Sequence, residues 1–147
     1  MPYGMSKDER EAFLAEVRPG IVSVVEAGRG PLTVPIWFSY APGGVVRMVT
    51  GGGSKKAALI RKAGRMSLCV QTEIAPYKYV SIEGPVTIGA PDFERDIRAM
   101  AYRYLGEQLG DWYLQQTAAE RVDTILVTLT PQRWLSVDYS KMSAQPG

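Results

Sequence analysis

Histidine is absent from this 147-residue chain, and cysteine occurs once, as Cys69. The first absence excludes Ser-His-Asp and Cys-His catalysis, and the two together leave zinc and haem without their usual ligands. A lone cysteine also rules out a disulfide within the chain. Cys69 lies in an apolar run, Ser67 to Val70, where it reads as a small buried hydrophobe, and such sparing use of cysteine agrees with a cytoplasmic location. No apolar run approaches the ~18–20 residues of a membrane span, and the N-terminus lacks a signal peptide's apolar core. Chemistry in this chain therefore falls to a bound cofactor, or to tyrosine, lysine and carboxylates.

Acidic residues are missing from Ala27 to Thr72, a stretch that holds Arg29, Arg47, Lys55, Lys56, Arg61, Lys62 and Arg65. A formal net charge of +2 thus hides a middle third of one sign. Within it, a predicted strand (Val45 to Thr50) meets three glycines, and Ser54 opens a short basic helix that is followed by a strand from Met66 to Gln71. Ser54 suits an N-cap, because its hydroxyl accepts from a backbone N–H one turn on. Lys55 and Lys56 then face the positive end of the helix dipole, which costs about 0.3–1 kcal/mol each without an anion. Gly51, Gly52 and Gly53 open the backbone N–H groups to a ligand, and the whole suits a phosphate. A solvated basic helix face beside a flexible turn is the competing reading. The stretch fits neither the phosphate loop GxxxxGK[ST] nor the dinucleotide pattern GxGxxG. Modest overall charge and the gathering of bases around one turn argue against nucleic acid.

The remaining composition, 46% apolar and 22% charged, is that of one ordinary globular domain spanning residues 1–147. Residues 1–5 read as a dispensable tail, with Met1 and Met5 as candidate starts. Ser6 and Glu9 form a capping box for a helix to about Arg18. Ile21 to Glu26 is a β-branched strand, Gly28 to Gly30 a hairpin turn, and Leu32 to Tyr40 the returning strand. With the strand ending at Thr50 these predict a three-stranded meander. A long strand from Tyr77 to Ile88 carries Gly84-Pro85, the mark of a bulge or bend. Asp92 caps a helix to about Leu105, a second helix covers Trp112 to Thr117, and two strands, Thr124 to Leu129 and Arg133 to Tyr139, end the chain. Residues 140–147 read as a disordered tail. Trp112 and Trp134 read as packing residues, and of Trp37 and Phe38, which point to opposite faces, Phe38 is the core candidate. Six or seven strands in meander order with short flanking helices predict a mainly β (α+β) fold, a small antiparallel barrel.

A Gly-Ser-Lys turn between barrel strands, preceded by Val34-Pro-Ile-Trp-Phe38 and followed by a strand with Glu83-Gly84, resembles the split β-barrel, FMN-binding-like superfamily related to pyridoxamine 5′-phosphate oxidase. Within it the likeness is nearer to the small actinobacterial reductases that use the deazaflavin coenzyme F420. The resemblance runs from Ser6 to Trp134. It implies that Ser54 and Lys56, with Lys55, hold the cofactor phosphate and that Thr50 lies beside the tricyclic ring. It further implies that Val34, Pro35, Ile36 and Trp37 flank the ring edge and that Gln71 is a polar strand-end near it. Tyr79 would come from the other subunit of a homodimer to cover the site, and is a candidate proton donor. The implied activity is hydride transfer from reduced F420 to an electron-poor small molecule, an enone or quinone. FMN is the alternative cofactor, and a non-catalytic carrier the alternative role. The arginine- and histidine-bearing C-terminal motifs of the vitamin-salvage oxidase are missing, and serine stands at 54 where some relatives carry arginine.

Overall fold

Period-two burial dominates the chain. The computed structural model describes residues 2–143. Its eight strands are β1 (Gly20–Val24), β2 (Leu32–Ile36), β3 (Ser39–Tyr40), β4 (Val46–Gly51), β5 (Arg65–Gln71), β6 (Lys78–Gly89), β7 (Thr124–Leu129) and β8 (Arg133–Asp138). They make one curled antiparallel sheet in the order β2-β1-β5-β6-β7-β4-β3, with β8 also on β6. Three α-helices flank it: α1 (Lys7–Ala15), α2 (Lys55–Ala63) and α3 (Ala99–Gln116), the last preceded by a π-helical turn, Phe93–Arg98. This is the split-barrel α+β fold that the sequence predicts. Inward residues of every layer fill the core, among them Phe13, Leu14, Val22, Phe38, Met48, Ile60, Leu68, Val80, Ile82 and Leu129.

The order is not the predicted meander. The strand expected from Leu32 to Tyr40 breaks at Trp37-Phe38, so β2 pairs β1 while β3 pairs β4, and β4 lies on β7. These two residues carry the chain from one edge of the sheet to the other. The barrel is therefore joined there by covalent chain and not by a ladder. Phe38 stays fully enclosed through the break, and its backbone groups, outside the ladders, are met by a side chain instead. The Tyr104 hydroxyl of α3 fills the gap, accepting from Phe38 N–H (3.1 Å) and lying 3.0 Å from the Phe38 and 2.9 Å from the Arg18 carbonyl.

The long strand β6 belongs to both halves of the barrel. Its first part lies between β5 and β8, and its end, Val86 to Gly89, pairs β7. β7 and β8 are not a hairpin: both run along the same edge of β6, in the same direction. Between the partners Glu83↔Arg133 and Val86↔Leu129, three residues on one side face two on the other, which is a bulge. Gly84 permits it, since a Cβ there would sit 1.8 Å from the Thr130 carbonyl oxygen. Hydrogen bonds continue across it, from Thr130 N–H to Pro85 and from Gln132 N–H to Glu83.

The helix starts agree with local chemistry. Ser6 and Glu9 make the reciprocal capping box, and Ser54 and Asp92 cap their helices with their side chains. Helix α1 ends at Ala15, short of Arg18, whose guanidinium instead donates to the Phe13 carbonyl. The two helices expected after Asp92 are joined through Gly106, whose backbone (φ 79°, ψ 173°) breaks α3. The segment expected to be a loose N-terminal tail is tied down from Tyr3 to Met5: the Tyr3 carbonyl accepts from Asp138 N–H, Lys141 Nζ donates to the Gly4 carbonyl, and Met5 N–H donates to Ser136. The expected strand end at Tyr139 and the start of the expected tail form a 3₁₀ turn, Tyr139–Ser143, and residues 144–147, like Met1, lie outside the described residues.

Candidate functional site

The basic turn follows directly from β4. Ser54 is extended, its Oγ accepts from Ala57 N–H (3.1 Å), and its own proton goes to the Gly51 carbonyl (2.8 Å). The glycine N–H groups are less open than the sequence suggests. Gly52 N–H donates to the Asp123 carbonyl (2.9 Å) and Gly53 N–H to the Asp123 carboxylate (3.0 Å). A Cβ on Gly52 would come within 2.6 Å of that carbonyl, so close approach of Asp123 is what requires glycine there. Arg61 reaches back to the Gly52 carbonyl at 2.7 Å. The turn is thus stitched to the segment before β7, and the donors left at the head of α2 are the N–H groups of Lys55 and Lys56.

The two lysines differ. Lys55 Nζ pairs with Glu26 at 3.0 Å, tying the helix start to the β1–β2 hairpin. Lys56 is half-buried and takes part in none of the ion pairs among the described residues; burial pushes its ammonium below the usual lysine value. A half-enclosed cation at a helix N-terminus, with no carboxylate beside it, suits an anionic ligand.

Next to this turn lies a cleft of about 220 Å³, lined by Trp37, Thr50, Gly51, Met100, Tyr113, Arg121 and neighbours. Trp37 forms its aromatic wall, stacked on Tyr104 (5.0 Å between centroids, 5° between planes) and tilted against Tyr113 (5.3 Å). That stacking against α3 gives Trp37 its outward role while Phe38 turns into the core.

Of the residues singled out from the sequence, Trp37 and Thr50 meet in this cleft, and Ser54, Lys55 and Lys56 follow it at the head of α2. Val34 and Ile36 point inward against the core, leaving the backbone of the edge strand β2 free on its outer side. Pro35 and Gln71 line a separate concavity with Ile21 and Cys69. Tyr79 stands opposite Gln71 across the β5–β6 ladder. Neither Gln71 nor Tyr79 lines the cleft that holds Thr50. Trp134 packs inward by Arg10 and Tyr40. Trp112, expected to pack, is 57% exposed on the part of α3 that follows the break at Gly106. Sequence reasoning missed Asp123 and the place of Arg121 in the cleft. Both belong to a short turn of no periodicity, and only the fold brings that turn to the glycines.

Comparison with known proteins gives four matches. A family model described as pyridoxamine 5′-phosphate oxidase matches residues 6–138. An F420H(2)-dependent biliverdin reductase of Mycobacterium tuberculosis is 29% identical over 84 residues, which span 56% of this chain and 59% of that relative. Among solved structures, the conserved hypothetical protein Rv2991 from M. tuberculosis superposes with a TM-score of 0.78 at 21% identity, covering 100% of this chain and 94% of its own. A protein described as an F420 reductase superposes at 0.62 with 20% identity, over 85% of this chain and 94% of its own. Likeness at these identities speaks to the fold.

Proposed function

This chain belongs to the pyridoxamine 5′-phosphate oxidase family, and from that premise we propose that it is an oxidoreductase working with the reduced deazaflavin F420 on an electron-poor enone or quinone. The observation that carries the reading is Lys56, half-buried without a counter-anion beside a cleft with an aromatic wall. A phosphate-bearing tail would be held by the Lys56 ammonium and the first free N–H groups of α2. Lys55 would add charge by leaving its ion pair with Glu26, in which the lysine is exposed and the carboxylate largely buried. Ser54 serves as the cap, since its proton is already committed to Gly51. The free edge of β2 at Val34 to Ile36 would flank a planar ring, with Trp37 and Thr50 at one end.

When bound, the reduced cofactor supplies a hydride; the protein's part is to orient, to exclude water and to hold the anionic tail. Gln71 shares a concavity with Pro35 on the same chain, whereas Tyr79 would come from a second copy, so the proposal includes a homodimer, with Tyr79 the candidate proton donor. No helix among the described residues is long and apolar enough to cross a membrane, and the substrate is taken to be a free small molecule.

The test is titration of the purified protein with F420 and with FMN. F420 is expected to bind more tightly, with an affinity that falls as salt rises. Lys56→Ala should weaken it by roughly ten- to a hundred-fold, the loss of a charge-assisted hydrogen bond, while Lys62→Ala, further along α2, changes little. Equal or tighter binding of FMN would transfer the reading to that cofactor. Tight F420 binding without turnover across a panel of enones and quinones would make the chain a carrier.

A further inference from the structure

We propose that the cleft beside Thr50 selects substrates carrying a carboxylate on a planar ring system, and that Arg121 is the residue that recognises it; this rests on the oxidoreductase reading above. Of the ten residues expected to meet the cofactor, only Trp37 and Thr50 line this cleft, so it adjoins the cofactor's place and is not the whole of it. Its other walls come from the π-helical turn, α3 and the turn before β7. Such a chamber, about 220 Å³, takes one or two fused rings, against roughly 150 Å³ for a cavity that holds benzene.

The polar group in this chamber is specific. Arg121 donates through Nη1 to Thr117 Oγ1 at 2.9 Å, and its guanidinium carbon lies 5.7 Å from the Phe93 ring centre. These contacts hold the head group, yet use one of its five N–H donors. None of the ion pairs among the described residues involves Arg121. Two cleft neighbours bear on the reading. Glu120 lines the same cleft but is solvent-exposed, and Asp123, two residues on, is committed to Gly53 N–H. A fixed planar cation with unused donors, in a cleft walled by Trp37 and Tyr113, matches a carboxylate in bidentate geometry on a flat apolar body. A neutral quinone of the same shape would fill the wall but leave the arginine unanswered.

The experiment reads binding to the protein without cofactor, so that it does not depend on which cofactor is right. Calorimetry with 2-naphthoate and 2-naphthamide is expected to show the acid bound at least ten-fold more tightly. Arg121→Gln should abolish that preference, and Arg121→Lys, which keeps the charge and loses the fork, should retain part of it. F420 affinity should remain at the parent level in both variants. Equal binding of acid and amide by the parent, or a preference that survives Arg121→Gln, overturns the proposal. So does a loss of F420 affinity in Arg121→Gln as large as that in Lys56→Ala, since the arginine would then serve the cofactor. If neither F420 nor FMN binds while the acid preference stands and depends on Arg121, the redox reading fails and the recognition of carboxylates is upheld.

Discussion

At the scale of single residues, Lys55 and Lys56 show how adjacent identical side chains are given different work. Lys55 is answered by Glu26, whereas Lys56 is held half out of water against the dipole of α2. Its lowered pKa means that the unfolded chain holds this proton more tightly than the folded one. Stability is therefore diminished at neutral pH and regained as pH rises through the depressed value. Replacing Lys56 by Met should leave the ligand-free protein as stable or steadier by a few tenths of a kcal/mol, read as a melting temperature about 1 °C higher at pH 7. Cofactor binding suffers in the same variant. Glu9 presents the opposite sign. Hydrogen bonds from Lys141 Nζ and from Ser6 bring its carboxyl from 4.5 down to about 2. The stability this contributes is complete above pH 4.5 and lost as pH falls towards 2. Acid titration of Glu9→Gln should show a shallower loss across that window than the parent.

At the scale of elements, the bulge opposite Gly84 is the point where β6 leaves one half of the barrel for the other. Gly84→Ala must displace the Thr130 carbonyl, and the expected cost is about 3 kcal/mol or more, seen as a melting temperature some 6–12 °C lower. Gly89→Ala, with nothing within 4 Å of the added carbon, is the control and should stay within about 2 °C. Elements were legible in the sequence wherever the cause is local. Ser6, Ser54 and Asp92 announce their helices because a cap bonds three residues on, and Gly84-Pro85 announces a bend. What the bend faces was not legible, since Thr130 is brought to it by pairing across more than forty residues. The same holds for the turn at Gly51 to Gly53: its glycines and lysines stand out in the chain, but their closure by Asp123 depends on β4 lying beside β7. The break at Trp37-Phe38 was hidden for another reason. Alternation continues through it, so the local pattern is that of an unbroken strand.

At the scale of the whole molecule, one row of the outer sheet face calls for a partner. Pro35, Ile21, Cys69, Ser81 and Leu135 are aligned in register across five strands, without a charge among them, and Ile21 and Leu135 are 43% and 47% exposed. A solvated face of an antiparallel sheet ordinarily carries polar residues in such a row. In the proposed homodimer this face meets its copy, and Leu135→Arg should raise the dimer dissociation constant at least about a hundred-fold by sedimentation, weakening cofactor binding with it. A stable monomer of the parent with full cofactor affinity would remove the homodimer from the reading. The covalent seam at Trp37-Phe38 has a mechanical consequence as well. Elsewhere the wall can be parted only by stripping a row of ladder hydrogen bonds. At the seam the linking residue Phe38 is held by one phenol, Tyr104, which also reaches the Arg18 carbonyl and stands on the helix whose neighbouring residues line the cleft. The seam thus has no ladder and depends on a side chain of α3, so a molecule seated beside Met100 and Tyr113 would bear on it through that helix.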